Sequence, residues 1–186
     1  DSANPVHLAA DLLSQAEHDP RARAIMVTTS ESLANIVSDE VERQLKLLPR
    51  ESIARPAIEN NSYIAVMGSV EDMFTVMNEV APEHLEIQLP DPMGYMSLVQ
   101  NAGSVFLGAY ASEPLGDYVG GTNHVLPTSG TARFSSPLGV YDFVKRTSFT
   151  QFTKERLEEV ATHITTLART EGLEAHARAI EVRFEK

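Results

Sequence analysis

Between residues 24 and 107 the sequence alternates short apolar runs with amphipathic stretches, and this alternation constrains the fold more than any other feature. The runs are Ala24–Thr28 (AIMVT), Ser62–Met67 (SYIAVM), Leu85–Leu89 (LEIQL) and Ser104–Leu107 (SVFL). Each has the length of a strand. Between them, residues 30–48 place Leu33, Ile36, Val37, Val41, Leu45 and Leu48 on one helical face behind a Ser30 cap. Val70–Val80 reads as a further helix, ended by Ala81-Pro82. Pro49 and Pro56 bracket a looser segment that can still be helical, and Pro92–Asn101 reads as a short helix. Strand–helix alternation with connections of this length predicts an α/β fold, a mostly parallel sheet with helices on its faces.

A helix also precedes the first strand. Asn4 is a good cap, Pro5 suits the first helical position, and Leu8, Ala9, Leu12, Leu13 and Ala16 form its apolar stripe. The chain opens on Asp1 without a Met or a signal-peptide pattern, which suggests processing or shortening. After Gly108 the character changes. Residues 109–136 are rich in Gly, Pro, Ser and Thr, and a loop this long without structure of its own is usually functional. Beyond it lie a possible extended segment around Arg146–Phe152, a helix over Lys154–Thr170, a break at Gly172 and a second helix over Leu173–Phe184. The expected organisation is an α/β domain over residues 1–136 and a helical C-terminal extension over 137–186.

Composition removes several function classes. The net charge is −11, from 15 Lys and Arg against 26 Asp and Glu, so a phosphate-neutralising face for nucleic acid or anionic membrane is not expected. No apolar stretch approaches the roughly 20 residues of a membrane span. There is no cysteine, which excludes disulfides, thiolate-ligated metal and covalent thiol catalysis.

Four places could carry chemistry. Gln15 and His18 sit a turn apart on the first helix with Asp11 on the same face, a spacing that can clamp a divalent cation but also suits the polar end of a surface helix. Glu83-His84 lies at the mouth of a strand, where open α/β folds place reactive groups. Either residue can act as a general base, and the two act together only if the backbone turns there; a solvated turn is the plain alternative. The loop Gly116–His124 (GDYVGGTNH) lacks the spacings of a phosphate cradle, yet Asp117 and His124 within it are plausible metal or substrate contacts. Glu171 and His176 flank the break in the tail and equally suit an exposed helical hairpin.

The strings DLLSQAEHDP (11–20), PEHL (82–85), NAGSVFLG (101–108) and GTNHVLPT (121–128) together resemble histidinol dehydrogenase, in that order, with the likeness running through the tail to His176. The resemblance implies an incomplete Rossmann-like sheet and an NAD-dependent zinc enzyme that oxidises L-histidinol through L-histidinal to L-histidine, the last steps of histidine biosynthesis. It implies Gln15, His18, Asp117 and His176 as ligands of one zinc per active site, with the substrate's imidazole and amino nitrogens completing the shell. It implies Glu83 and His84 as the acid–base pair: His84 takes the alcohol proton, and Glu83 activates the water that hydrates the aldehyde. His124 and Glu171 match substrate-contacting positions, alongside Gln15, His18, His84, Asp117 and His176. It further implies a cytoplasmic homodimer whose C-terminal tail serves the partner's site.

Family members are more than twice this length, so the resemblance covers a C-terminal half that holds the zinc and acid–base residues and almost none of the NAD site. The chain alone is expected to be inactive, with an incomplete sheet whose exposed edge or apolar face calls for tight dimerisation, swapping or another compensation. A non-catalytic dimeric module binding metal or imidazole, without a redox domain, is the competing reading. A bare structural core with an unformed metal site is the third.

Overall fold

The computed structural model describes residues 2–185. Its elements run α1 (Pro5–Ala16), β1 (Ile25–Thr28), α2 (Glu31–Leu45), α3 (Glu51–Asn61), β2 (Tyr63–Val66), α4 (Val70–Val80), β3 (His84–Ile87), a 3-10 turn (Pro92–Leu98), β4 (Ser104–Leu107), α5 (Glu113–Tyr118), α6 (Lys154–Thr170) and α7 (Glu174–Glu181), with short 3-10 turns at Thr131–Arg133 and Val140–Phe143. The chain divides into two compact units, Asp1–Phe143 and Val144–Lys186.

The first unit is a helix-rich α/β structure with parallel strands. Its four strands form two separate pairs, β1 with β2 and β3 with β4, instead of one continuous sheet. Helix starts follow local chemistry. The Asn4 side chain accepts from the Val6 N–H at 2.9 Å, Ser30 from Leu33 at 3.2 Å and Ser69 from Asp72 at 3.1 Å, each satisfying an amide that the helix leaves open. The segment bracketed by prolines is the helix α3, which continues through Pro56. Its Ala54 and Ala57 are fully buried in one core with Leu13, Val37, Val41 and Leu45, and Arg55 pairs with Glu42, Glu51 and Glu59. Packing of small residues holds a helix that proline alone would disfavour.

A second core joins Phe74 and Met77 of α4 to Leu85 and Ile87 of β3. Ile25 and Val27 of β1 pack against it without β1 and β3 forming a ladder. A cleft of about 900 Å3 lies between these strands, lined by residues of both. The unpaired edges of β1 and β3 are therefore the sides of an open slot, and the slot runs to α1 and α5.

In the second unit α6 and α7 pack through Thr165, Ala168 and Ala177, with Gly172 at φ 75° making the turn between them. Arg169 on α6 binds Glu174 and Glu181 on α7, each at 2.9 Å. The segment 146–152, expected to be extended, is irregular and forms no strand ladder.

Candidate active site

The site is built at the N-terminal mouth of β3. α4 ends at Ala81, a buried residue in the left-handed region at φ 50°, and the chain bends at Glu83 before entering β3. That bend is what lets Glu83 and His84 share one environment: the charges of Asp117 and His18 act on both. Gly103 fixes the Glu83 backbone. A Cβ at Gly103 would lie 2.6 Å from the Glu83 carbonyl oxygen, and that oxygen accepts from the Ser104 N–H at 2.8 Å.

Alternation along β3 separates two roles. Leu85 and Ile87 enter the core, while His84 and Glu86 take the opposite face. The His84 ring packs against Phe106 of β4, with centroids 6.1 Å apart. The same Phe106 supports α5, because a Cβ at Gly116 would come within 2.8 Å of its ring; glycine lets this helix lie against it. The segment read as a structureless loop over 109–136 thus contains α5, whose Glu113 and Asp117 share one face at four-residue spacing.

His84 Nε2 stands 3.7 Å from Glu113 Oε1. Donor atoms of His84, Glu113 and Asp117 fall within 4.8 Å of one another, which suits a cation. Gln15 of α1 lines the adjoining cleft, and His18 is exposed in the turn after α1. His124 is exposed in the loop beyond α5. Glu171, at the C-terminal cap of α6, and His176, on α7, are exposed in the second unit.

The acids here hold protons unusually well. Burial pushes Glu113 up to about 7, with Asp117 adding to the effect, and burial with Asp11 nearby does the same to Glu86. Burial raises Glu83 and Asp11 as well, and lowers His84, which keeps that imidazole in its neutral, basic form. Glu113 and Glu86 were absent from the sequence-derived set. Their signals were Ser112-Glu113-Pro114, a helix-start pattern, and the two-residue spacing from His84 to Glu86 on a strand.

These shifts set a stability profile. Between pH 4.5 and about 7 the folded chain keeps protons on Glu86 and Glu113 that the unfolded chain has released, so stability falls as pH rises through that window. His84 acts in the opposite sense below 6.5, one imidazole against several carboxyls. Glu40, held down to about 2 chiefly by Arg43, acts only below 4.5. The Tm of the chain is expected to drop between roughly pH 5 and pH 8. A Tm that is flat or rising over that range, measured by calorimetry, would contradict these proton affinities.

Comparison with known proteins adds the identity. The histidinol dehydrogenase family matches residues 1–184. Histidinol dehydrogenase of Lactiplantibacillus plantarum is 68% identical over 185 residues, which are 100% of this chain and 43% of that protein. The Streptococcus mutans histidinol dehydrogenase is 61% identical over the same share of each. The crystal structure of histidinol dehydrogenase from Elizabethkingia anophelis superposes with a TM-score of 0.81 at 40% identity, covering 99% of this chain and 42% of that one. The chain spans somewhat under half the length of the relatives it matches. A likeness that takes in every element from α1 to α7, in sequence and in backbone, makes this chain a member of the histidinol dehydrogenase family.

Proposed function

We propose that these residues form the metal-holding and acid–base part of an enzyme that oxidises L-histidinol to L-histidine through L-histidinal. The convergence of His84, Glu113 and Asp117 at the mouth of β3, with Glu83 beside them, carries the reading. Imidazole and carboxylate donors suit zinc, and a cation beside Asp117 offsets the burial and the neighbouring acid charge that together hold a proton on Glu113. The ligands we assign are Asp117, with Gln15 and His18 from the α1 end and His176 from the tail. Zinc, when bound, orients the substrate through its imidazole and amino nitrogens.

The proton work falls to β3. His84, neutral and half-buried, takes the hydroxyl proton as the carbinol carbon gives hydride to NAD. Glu83 takes a proton from the water that adds to the aldehyde; the hydrate would then give its hydride to a second NAD and its hydroxyl protons, by way of the site's bases, to solvent, leaving the carboxylate. His124 and Glu171 contact substrate. A non-catalytic metal-binding module has no use for a half-buried acid–base pair beside its metal, which favours the enzyme.

We further propose a cytoplasmic homodimer in which the tail carrying Glu171 and His176 completes the partner's site. Exposed Phe134, Phe143, Phe149 and Phe152 support an interface between copies. Among the described residues no helix is long and apolar enough to cross a membrane.

Zinc titration of the metal-stripped chain, with and without L-histidinol, tests the assignment. The expected result is one zinc per chain, tightened by histidinol, with affinity lost by about 10- to 100-fold or more in His176→Ala. Unchanged affinity in that variant would remove the tail from the ligand set.

A further inference from the structure

Helix α5 carries Glu113 and Asp117, but its start is not capped locally: Ser112 makes no side-chain bond to the helix amides. The cap comes from β3. Glu86 Oε1 accepts from the Glu113 N–H at 3.0 Å, across 27 positions of sequence. Pro114 brings no amide of its own, so this bond serves the first open donor of the helix. Gln88 donates to the other carboxyl oxygen, Oε2, at 3.2 Å.

Glu86 also reaches α1. Its carboxyl faces that of Asp11, one helical turn before Gln15, in the cleft that both residues line. One side chain of β3 therefore faces both helices that bear the proposed ligands, Asp117 on α5 and Gln15 on α1, while its neighbours Leu85 and Ile87 anchor the strand in the core.

We infer that Glu86 is a positioning residue: it caps α5, faces Asp11 of α1 across the cleft they line, and so sets the spacing of the two helices across the metal site. The metal part of this inference rests on the function proposed above; the helix-fixing part does not. Gln at position 86 keeps an acceptor for the Glu113 amide and a polar group facing Asp11. Leu keeps the bulk and loses the cap, and it also removes a half-buried acid, so stability alone does not report the role.

Hydrogen exchange and zinc calorimetry on the 186-residue chain, as parent, Glu86→Gln and Glu86→Leu, test it. In the parent, the Glu113 amide is expected to exchange at least about tenfold more slowly than an open first-turn amide. Glu86→Leu is expected to speed exchange over 113–118 by about tenfold and to weaken zinc by about 10- to 100-fold, with Glu86→Gln within about threefold of the parent on both. An unprotected Glu113 amide in the parent overturns the inference whether or not the Leu variant folds. So does Glu86→Gln as damaging as Glu86→Leu, or Glu86→Leu with unaltered zinc affinity. A parent that binds no zinc counts against the proposed metal site, and amide exchange then decides the helix-fixing role of Glu86 by itself.

Discussion

The 186 residues expressed alone, given zinc, NAD and L-histidinol, are expected to form no NADH above the protein-free blank. The reason lies in what the strands can hold. A doubly wound sheet binds a dinucleotide at a glycine-rich turn from strand to helix, against the helix N-terminus. Here β1 leads into α2 through Thr29-Ser30, and β2 into α4 through Met67-Gly68-Ser69, neither with the required glycine spacing. Each sheet has only two strands, and the slot between β1 and β3 stands open. Glu83, His84 and the carboxylates Glu113 and Asp117 are brought together, so on the proposed function the expected deficit is in hydride acceptance. The same preparation is expected to bind zinc and histidinol. NADH formation dependent on both histidinol and NAD would show that this chain builds a dinucleotide site of its own and would refute the argument. Retained zinc binding without turnover would place the loss in the redox half of the reaction.

Much of this architecture was legible because local and tertiary preferences agree. The Asn4, Ser30 and Ser69 caps, the stripe Leu33–Val37–Val41–Leu45 and the four apolar runs each specify an element without help from distant residues. Reading failed where distant residues decide. α5 is six residues long and includes a glycine and a proline, so propensity argues against it; the Phe106 ring and the Glu86 carboxyl supply what the local sequence lacks. The segment after Pro49, read as one that can still be helical, is the helix α3, and its buried Ala54 and Ala57 hold it through Pro56. The division of the strands into two pairs was likewise hidden, since strand order is a property of the whole packing.

The site shows the same division. Glu83-His84 stood out as a motif, yet whether the two act together depended on the bend that Ala81 and Gly103 impose. Asp117 was visible inside a glycine-rich string, whereas its partner Glu113 became visible only once the segment was known to be helical. Proton affinity was not legible at all. Glu86 and Glu113 read as ordinary acids, and burial beside other carboxyls moves both to about 7.

Glu83→Gln, placed in a full-length relative bearing this segment, is expected to separate the two oxidations. Gln keeps the size and polarity of the side chain and removes its basicity. Glu83 is half-buried before β3, raised by desolvation and by the charge of Asp117, which brings its proton affinity nearer to that of a useful base at neutral pH. Loss of a positioned general base costs about 100- to 10,000-fold in the step that uses it. On the proposed function that step is hydration of the aldehyde, so histidinal oxidation should slow by this factor. Histidinol oxidation, whose proton we assign to His84, should slow far less. Zinc affinity should change by less than about tenfold, since Glu83 is outside the proposed ligand set of Gln15, His18, Asp117 and His176. The two steps are read by single-turnover NADH formation from histidinol and from histidinal. Equal slowing of both would mean that Glu83 serves the shared geometry of the site instead of water activation. Slowing of the alcohol step alone would exchange the roles of Glu83 and His84.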